Sequence, residues 1–108
     1  MTKLFIDDER FPPEDGSGWV IVRSSHEAIE WVKANGIPDF ISFDHDLGGD
    51  DTSKTFIRWL MEQVMDGVLK FPPWFGFYVH SQNPIGAEWI RSTMSKFHFI
   101  FGENPDEI

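Results

Sequence analysis

The chain has 108 residues, a formal net charge of −9 at pH 7 and no cysteine. Its length predicts a single domain over residues 1–108, and its 41% hydrophobic residues, including eleven Phe and five Trp, supply the core. The negative charge excludes nonspecific binding of long nucleic acids, because that binding depends on neutralising phosphates. The absence of cysteine excludes disulfides and thiolate catalysis. No apolar run approaches the ~20 residues of a membrane helix, so we expect a cytoplasmic protein with no membrane partner.

Short apolar, β-rich runs predict the strands of the domain. Four such runs are Leu4–Ile6, Trp19–Val22, Phe40–Phe43 and Phe75–Val79. Apolar residues that recur at i, i+3 and i+4 predict three helices. These begin after Ser24, near Ser53 and at Pro84, and the first two end near Asn35 and Asp66. The run His98–Phe101 predicts a short last strand, and residues 103–108 form an acidic tail that we expect to fray.

Strands that alternate with helices predict an α/β domain with a mostly parallel sheet. The connection between the first two strands is short, since Glu9–Gly18 is all that joins them. A parallel crossover usually needs about a dozen residues or more. Either this crossover is reduced to a loop, or the second strand runs antiparallel.

Ionisable side chains follow three of the predicted strands. They are Asp7 and Asp8 after the first strand, Asp44, His45 and Asp46 after the third, and His80 and Ser81 after the fourth. The carboxyl ends of parallel strands share one edge of the sheet, where ligands bind. Carboxylates gathered there need a cation, a raised pKa on one carboxyl or a basic partner, and the candidates for relief are Mg²⁺, Arg10 and Arg23.

Several nearby polar residues also have a purely structural explanation. Asp50 and Asp51 fit a solvated loop or a helix cap. Asn83 fits the N-cap of the third helix, and Ser81 fits turn chemistry. These four residues therefore carry less weight than the aspartates and histidines at the strand ends.

The loop after the third strand does not match the calcium-binding EF-hand pattern. With Asp44 at position one, the twelfth position is Thr55, where the pattern requires a bidentate Glu. The loop also follows a predicted strand, whereas an EF-hand loop follows a helix. The sequence therefore excludes an EF-hand.

Three motifs in chain order resemble one known family. They are Asp-Asp-x-Arg (Asp7, Asp8, Arg10), Ser-x-Asp-His-Asp-Leu-Gly (Ser42 to Gly48) and His-Ser-x-Asn-Pro-x-Gly (His80 to Gly86). Together they resemble the cyclic-phosphate processing receiver-like domain, a branch of the response-regulator receiver fold found in bacteria and phages. The resemblance covers about residues 3–95. It implies a receiver-like three-layer sandwich with a four- to five-stranded sheet and a reduced first helix. It also implies an activity on cyclic phosphate ends, including those of RNA.

An ordinary receiver domain, which accepts a phosphoryl group on an aspartate, is the nearest alternative. Asp44 would be the phospho-acceptor, and Ser81 would follow the fourth strand as such domains require. Receivers also place a Lys after the fifth strand, but the segment Phe99–Glu103 contains none. The missing Lys argues against phosphorelay signalling.

The leading hypothesis is a phosphoesterase that opens a cyclic phosphate, such as a 2′,3′-cyclic RNA or nucleotide end. Its predicted catalytic residues are His45, His80 and Asp44, with the two histidines as the acid–base pair. Its predicted phosphate-binding residues are Arg10, Arg23, Ser81 and Asn83. Its predicted ligands for Mg²⁺ or another divalent cation are Asp7, Asp8, Asp44 and Asp46. The expected partner is a small phosphorylated ligand or an RNA end.

Two features decide between this hypothesis and a non-catalytic binding module, such as a phage inhibitor of a host protein. Alternation along an extended strand turns His45 away from Asp44 unless the chain bends there, which leaves His80 without its partner. Trp19, Trp74 and Trp89 would favour a protein partner if they formed one exposed patch.

Overall fold

The computed structural model describes residues 1–102, so the predicted acidic tail at 103–108 lies outside the described residues. The elements follow one another in the order β1 (Lys3–Ile6), β2 (Val20–Val22), α1 (Ser25–Asn35), β3 (Phe40–Phe43), α2 (Ser53–Met65), β4 (Gly76–Val79) and α3 (Pro84–Phe101). The predicted caps form as expected. The Ser24 side chain accepts a hydrogen bond from the Glu27 amide at the start of α1, and the Asn83 side chain accepts one from the Gly86 amide at the start of α3.

The four strands form one parallel sheet in the order β2-β1-β3-β4. The α/β receiver-like fold class is therefore confirmed. The connection from β1 to β2 contains no helix, yet β2 runs parallel to β1. The reduced first helix is thus a loop over residues 7–19, and the antiparallel alternative is excluded.

One face of the sheet carries the hydrophobic core. Leu4, Ile6, Ile41 and Phe43 are fully buried on this face, in one cluster with the apolar residues of all three helices. Parallel crossovers are right-handed. The β2-to-β3 and β3-to-β4 connections advance across the sheet in the same direction, so their helices lie on the same face. The β1-to-β2 connection goes the other way, and its loop crosses the opposite face.

The opposite face, which we call the open face, carries Phe5, Ser42 and Tyr78 at neighbouring register positions. Within residues 1–102 no helix covers it, so the described chain has two layers where three were expected. The cause is the short 7–19 connection, which replaces the helix that a full-length crossover would place there.

The predicted strand at His98–Phe101 is wrong, because α3 continues through Phe101. Phe97 is buried, and Phe101 stacks beside it one helical turn later, with ring centroids 4.8 Å apart. The His98 ring packs against Phe71 and Phe75. The i, i+4 pair Phe97–Phe101 and the long-range contacts of His98 stabilise the helix through residues whose types favour strands.

The three tryptophans that would favour a protein partner as one exposed patch do not lie together. Trp19 lies on the open face, whereas Trp89 belongs to α3 on the helical side of the sheet and Trp74 is 57% exposed. The three tryptophans therefore do not form one patch.

None of the described helices is long and apolar enough to span a bilayer.

Candidate functional site

The ends of β1, β3 and β4 converge at one edge of the sheet, as the parallel arrangement predicts. One carboxylate oxygen from each of Asp7, Asp8 and Asp44 lies within 4.8 Å of the others. His80 Nε2 lies 3.0 Å from Asp7 Oδ2, which joins the end of β4 to the end of β1. Three of the four predicted metal ligands thus meet. Asp46 is outside this group.

Asp7 is fully buried, and both of its carboxylate oxygens are engaged. Its Oδ1 accepts hydrogen bonds from the backbone amides of Glu9 and Arg10, both at 2.9 Å. Its Oδ2 accepts a hydrogen bond from His80 Nε2 at 3.0 Å and forms an ion pair with Arg10 Nε at 2.9 Å. Burial opposes ionisation, but the amides, His80 and the guanidinium together lower the pKa of Asp7. Asp7 is therefore a carboxylate whose roughly four acceptor positions are all used.

The two predicted phosphate-binding arginines have different positions. Arg10 bridges the carboxylates, with Nε on Asp7 and Nη2 3.4 Å from Asp44 Oδ2. Arg23 Nη1 donates to the backbone carbonyls of Asp7 and Arg10, at 3.0 and 2.6 Å, and its guanidinium lies over Phe11. Arg10 is therefore the cation of the site, and Arg23 holds the loop that carries it.

Asp44 occupies the end of β3, and its side chain is 9% exposed. Burial raises its pKa, and the nearby negative charge of Asp7 raises it further. The positive charge of Arg10 opposes this rise without cancelling it. Asp44 thus takes up a proton more readily than an ordinary Asp.

A polar cavity of about 380 Å³, which we call the acid cavity, opens over these groups. Its lining includes Asp8, Arg10, Asp44, Asp46, Gly48, Ser81 and Asn83. Asn83 Nδ2 donates to Asp46 Oδ2 at 3.2 Å, and this bond is the first cause of the lowered pKa of Asp46. Gly48 has a φ of 91°, and a Cβ there would lie 3.3 Å from Asp8 Oδ2, so glycine lets the loop approach the carboxylate.

Both nitrogens of His80 are engaged. Because Asp7 is ionised, His80 Nε2 must carry the proton that it donates to Asp7. Burial lowers the pKa of His80, against the raising effect of Asp7, so the ring is neutral and Nδ1 accepts from Ser42 Oγ at 2.7 Å. The ring also stacks on Phe5, with centroids 4.4 Å apart. The chain Ser42–His80–Asp7 fixes one tautomer of His80. Ser42 belongs to the second sequence motif, but sequence reasoning gave it no role.

His45 lies on the helical side of the sheet, as strand alternation predicts. It is buried, its Nδ1 lies 3.1 Å from Asp46 Oδ1, and its Nε2 has no hydrogen-bond partner among the described residues. A Cβ on Gly86 would stand 2.3 Å from the His45 ring, so the ring packs directly on the first turn of α3. Among residues 1–102, neither His45 nor His80 lines the acid cavity.

The residues of the cavity fit a divalent cation of the Mg²⁺ type in part. Mg²⁺ commonly binds one or two protein carboxylates and completes its shell with water and substrate phosphate. Asp8 and Asp44 offer two such carboxylates, whereas the acceptor positions of Asp7 are filled. Arg10 already compensates part of the negative charge.

Comparison with family models identifies a match to the Cyclic-phosphate processing Receiver domain over residues 2–96. The chain belongs to this family. The match confirms the family that the three motifs resemble, and it links the chain to cyclic-phosphate processing through the family's name. Searches of curated proteins and of solved structures gave no match.

The structure also bears on the alternative that the chain is an ordinary receiver domain. The described residues form no fifth strand, and no lysine lines the acid cavity within them. An ordinary receiver presents its Lys after a fifth strand, and residues 1–102 form no such strand.

Proposed function

We propose that this domain binds a cyclic phosphate ester in the acid cavity and opens its ring by hydrolysis. The observation that carries the proposal is the contact of Arg10 with both Asp7 and Asp44 at the base of a polar cavity. The arginine places a positive charge where a phosphate would lie, and the cavity walls add proton-handling carboxyls.

Hydrolysis adds water to phosphorus and breaks one bond from phosphorus to a ring oxygen. One group must take a proton from the water, and another must give a proton to the leaving oxygen. Asp44, with its raised pKa, suits the donor role, and Asp8 in the same cavity suits the acceptor role. Arg10 stabilises the negative charge on the phosphoryl oxygens. His80 acts through Asp7 and holds Arg10 in place, and His45 supports α3.

A divalent cation would be held by Asp8 and Asp44 and would supply further positive charge on the phosphoryl oxygens. Asp44 would then be ionised and unable to donate a proton. The pH dependence therefore separates the two states. Without metal, the rate falls as pH rises through the raised pKa of Asp44. With a required metal, this fall is absent and chelation abolishes the activity.

The proposal is tested by the hydrolysis of a nucleoside 2′,3′-cyclic phosphate, followed by chromatography of the monoester product. Arg10→Ala and Asp44→Asn are each expected to lower kcat/KM at least 100-fold. Asp50→Asn is the matched control, since Asp50 lies in the same loop, is exposed and does not line the cavity. Equal rates in the two site variants and the control would refute the proposed site.

The alternative of a phospho-accepting receiver has a separate test at the same residue. Incubation with a small phosphodonor and Mg²⁺ is expected to add no phosphoryl mass, because no lysine among residues 1–102 lines the cavity, whereas receivers use one. A stable mass gain that Asp44→Asn abolishes would establish the receiver function in place of hydrolysis.

A further inference from the structure

The open face of the sheet carries a second cavity, of about 460 Å³. We call it the aromatic pocket. Its aromatic lining includes Phe5, Trp19, Phe40 and Tyr78, and the polar groups at its margin include Lys3, Ser42 and His80. A concave site with aromatic walls and a few polar groups is the usual form of a small-ligand pocket, and this volume suits a ligand of nucleoside size.

The aromatic pocket and the acid cavity lie on the same side of the sheet. Side chains two positions apart along a strand point the same way, so Asp44 continues the row of Ser42, and His80 continues the row of Tyr78. Two residues of extended chain span about 6.6 Å. A ligand whose phosphate lies over Asp44 can therefore place an aromatic ring of its own over Ser42 and Tyr78, about 6.6 Å away.

His80 is the residue that joins the two cavities. It lines the aromatic pocket, stacks on Phe5 and accepts a hydrogen bond from Ser42, while its Nε2 donates to Asp7 beneath the acid cavity. His80 thus lines the aromatic pocket and is linked through Asp7 to Arg10, which lines the acid cavity.

The pocket walls leave aromatic surface available to a ligand. Tyr78 is 62% exposed although it lies within β4. Trp19 packs edge-on to both Phe5 and Phe40, and Lys3 Nζ lies 5.0 Å from its ring centroid. Exposed aromatic rings on a sheet face stack on nucleic-acid bases without requiring a particular base.

We propose that the aromatic pocket binds the base of a nucleotide whose phosphate occupies the acid cavity. This inference rests on the proposed function and narrows its substrate class to cyclic phosphates that carry a planar heteroaromatic ring. The net charge of −9 and the pocket volume favour a single base over a long strand. Tyr78 and Trp19 supply the stacking surface, and Ser42 and Lys3 supply polar contacts at its edge.

Calorimetric binding of adenosine 3′-monophosphate tests the proposal without turnover. Glycerol 2-phosphate, which lacks a base, is expected to bind at least about tenfold more weakly. Tyr78→Ala is expected to weaken binding of the nucleotide about tenfold and to leave binding of glycerol 2-phosphate unchanged. Phe99→Ala is the matched control, since Phe99 is 88% exposed on α3 away from the pocket. Trp19→Ala provides a second variant of the pocket wall.

The outcomes separate this inference from the proposed function. Base-dependent binding that Tyr78→Ala weakens supports the aromatic pocket even if no ester is hydrolysed. Equal binding of both phosphates, or a nucleotide affinity that neither Tyr78→Ala nor Trp19→Ala changes, overturns it even if hydrolysis occurs. Comparison with a trinucleotide ending in the same 3′-phosphate identifies the source of the ligand. Equal affinity indicates a free nucleotide, and tighter binding of the trinucleotide indicates an RNA end.

Discussion

Asp44 is a buried carboxyl beside a second negative charge. Its burial and the neighbouring Asp7 disfavour its ionised form, and Arg10 relieves this only in part. A carboxyl whose folded-state pKa is raised favours the fold while it is protonated. That contribution is lost as pH rises through the folded pKa. Above that pKa, Asp44 is ionised in its buried position, and this lowers the stability of the fold.

Asp44→Asn is accordingly expected to raise the melting temperature at pH 7. We expect this increase to disappear as the pH falls below the ordinary pKa of Asp, because Asp44 is then protonated in both the folded and the unfolded protein. Thermal unfolding of both proteins at pH 7 and near pH 3.5 measures this. An equal difference at both pH values would contradict the account.

His80→Ala is expected to destabilise the fold as well as impair any activity. The change removes the ring that stacks on Phe5 and leaves Ser42 and Asp7 each without one hydrogen bond. Buried groups left unpaired in this way cost about 1–3 kcal/mol each, so a loss of at least 2 kcal/mol is expected in urea unfolding. His26→Ala, at an exposed position in α1, is the control. Unchanged stability would mean that the Ser42–His80–Asp7 chain does not hold the site together.

At the scale of the elements, the start of α3 depends on a glycine. The His45 ring occupies the space that a side chain at Gly86 would need. The motif His-Ser-x-Asn-Pro-x-Gly therefore ends in glycine because His45, a residue of the second motif, packs against that position. In a helix without such a neighbour, Ala is about 1 kcal/mol more favourable than Gly.

Gly86→Ala is expected to destabilise the protein by about 1–3 kcal/mol, because its Cβ would overlap the imidazole. In a His45→Ala background the same change is expected to be neutral or stabilising. Urea unfolding of the two single variants and the double variant gives their coupling energy. Additive effects would show that His45 and Gly86 do not share this space.

The elements were predictable where the local sequence and the packing agree. Apolar runs such as Leu4–Ile6 and helix caps such as Ser24 are visible in the local sequence, and they predict the four strands and three helices. The fifth strand was mispredicted because Phe97 and Phe101 pair along a helix, which residue preference alone does not reveal. The partner of His80 was also out of reach, since Ser42 lies 38 residues away and meets it across adjacent strands.

At the scale of the whole molecule, the strand order explains why the site has two cavities. Within residues 1–102 the three helices lie on one face. The connections that contain α1 and α2 cross the sheet in one direction, and α3 packs on the same core after β4. Over the same residues the other face is crossed by the loop 7–19 and by no helix, so its aromatic residues line a separate pocket. The three-layer expectation failed because it assumed a covering helix that this short connection cannot form.

The net charge of −9 predicts an unusual salt response for an anionic ligand. Repulsion between the acidic surface and the ligand acts over about 30 Å at 0.01 M ionic strength and about 8 Å at 0.15 M. Binding of adenosine 3′-monophosphate is therefore expected to tighten between these two conditions, whereas neutral adenosine changes little. Calorimetric titrations at both ionic strengths check this. A large loss of nucleotide affinity with salt would indicate a locally positive surface instead.

The proposed action of the acid-cavity carboxyls and Arg10 on a cyclic phosphate can be observed by phosphorus NMR. A nucleoside 2′,3′-cyclic phosphate is incubated with the folded protein, with Mg²⁺ and with a chelator in parallel. We expect a monoester signal to replace the cyclic phosphate signal in at least one condition, and we expect Asp44→Asn to prevent this while Asp50→Asn does not. An unchanged cyclic phosphate signal in both conditions, at equimolar protein, would contradict it.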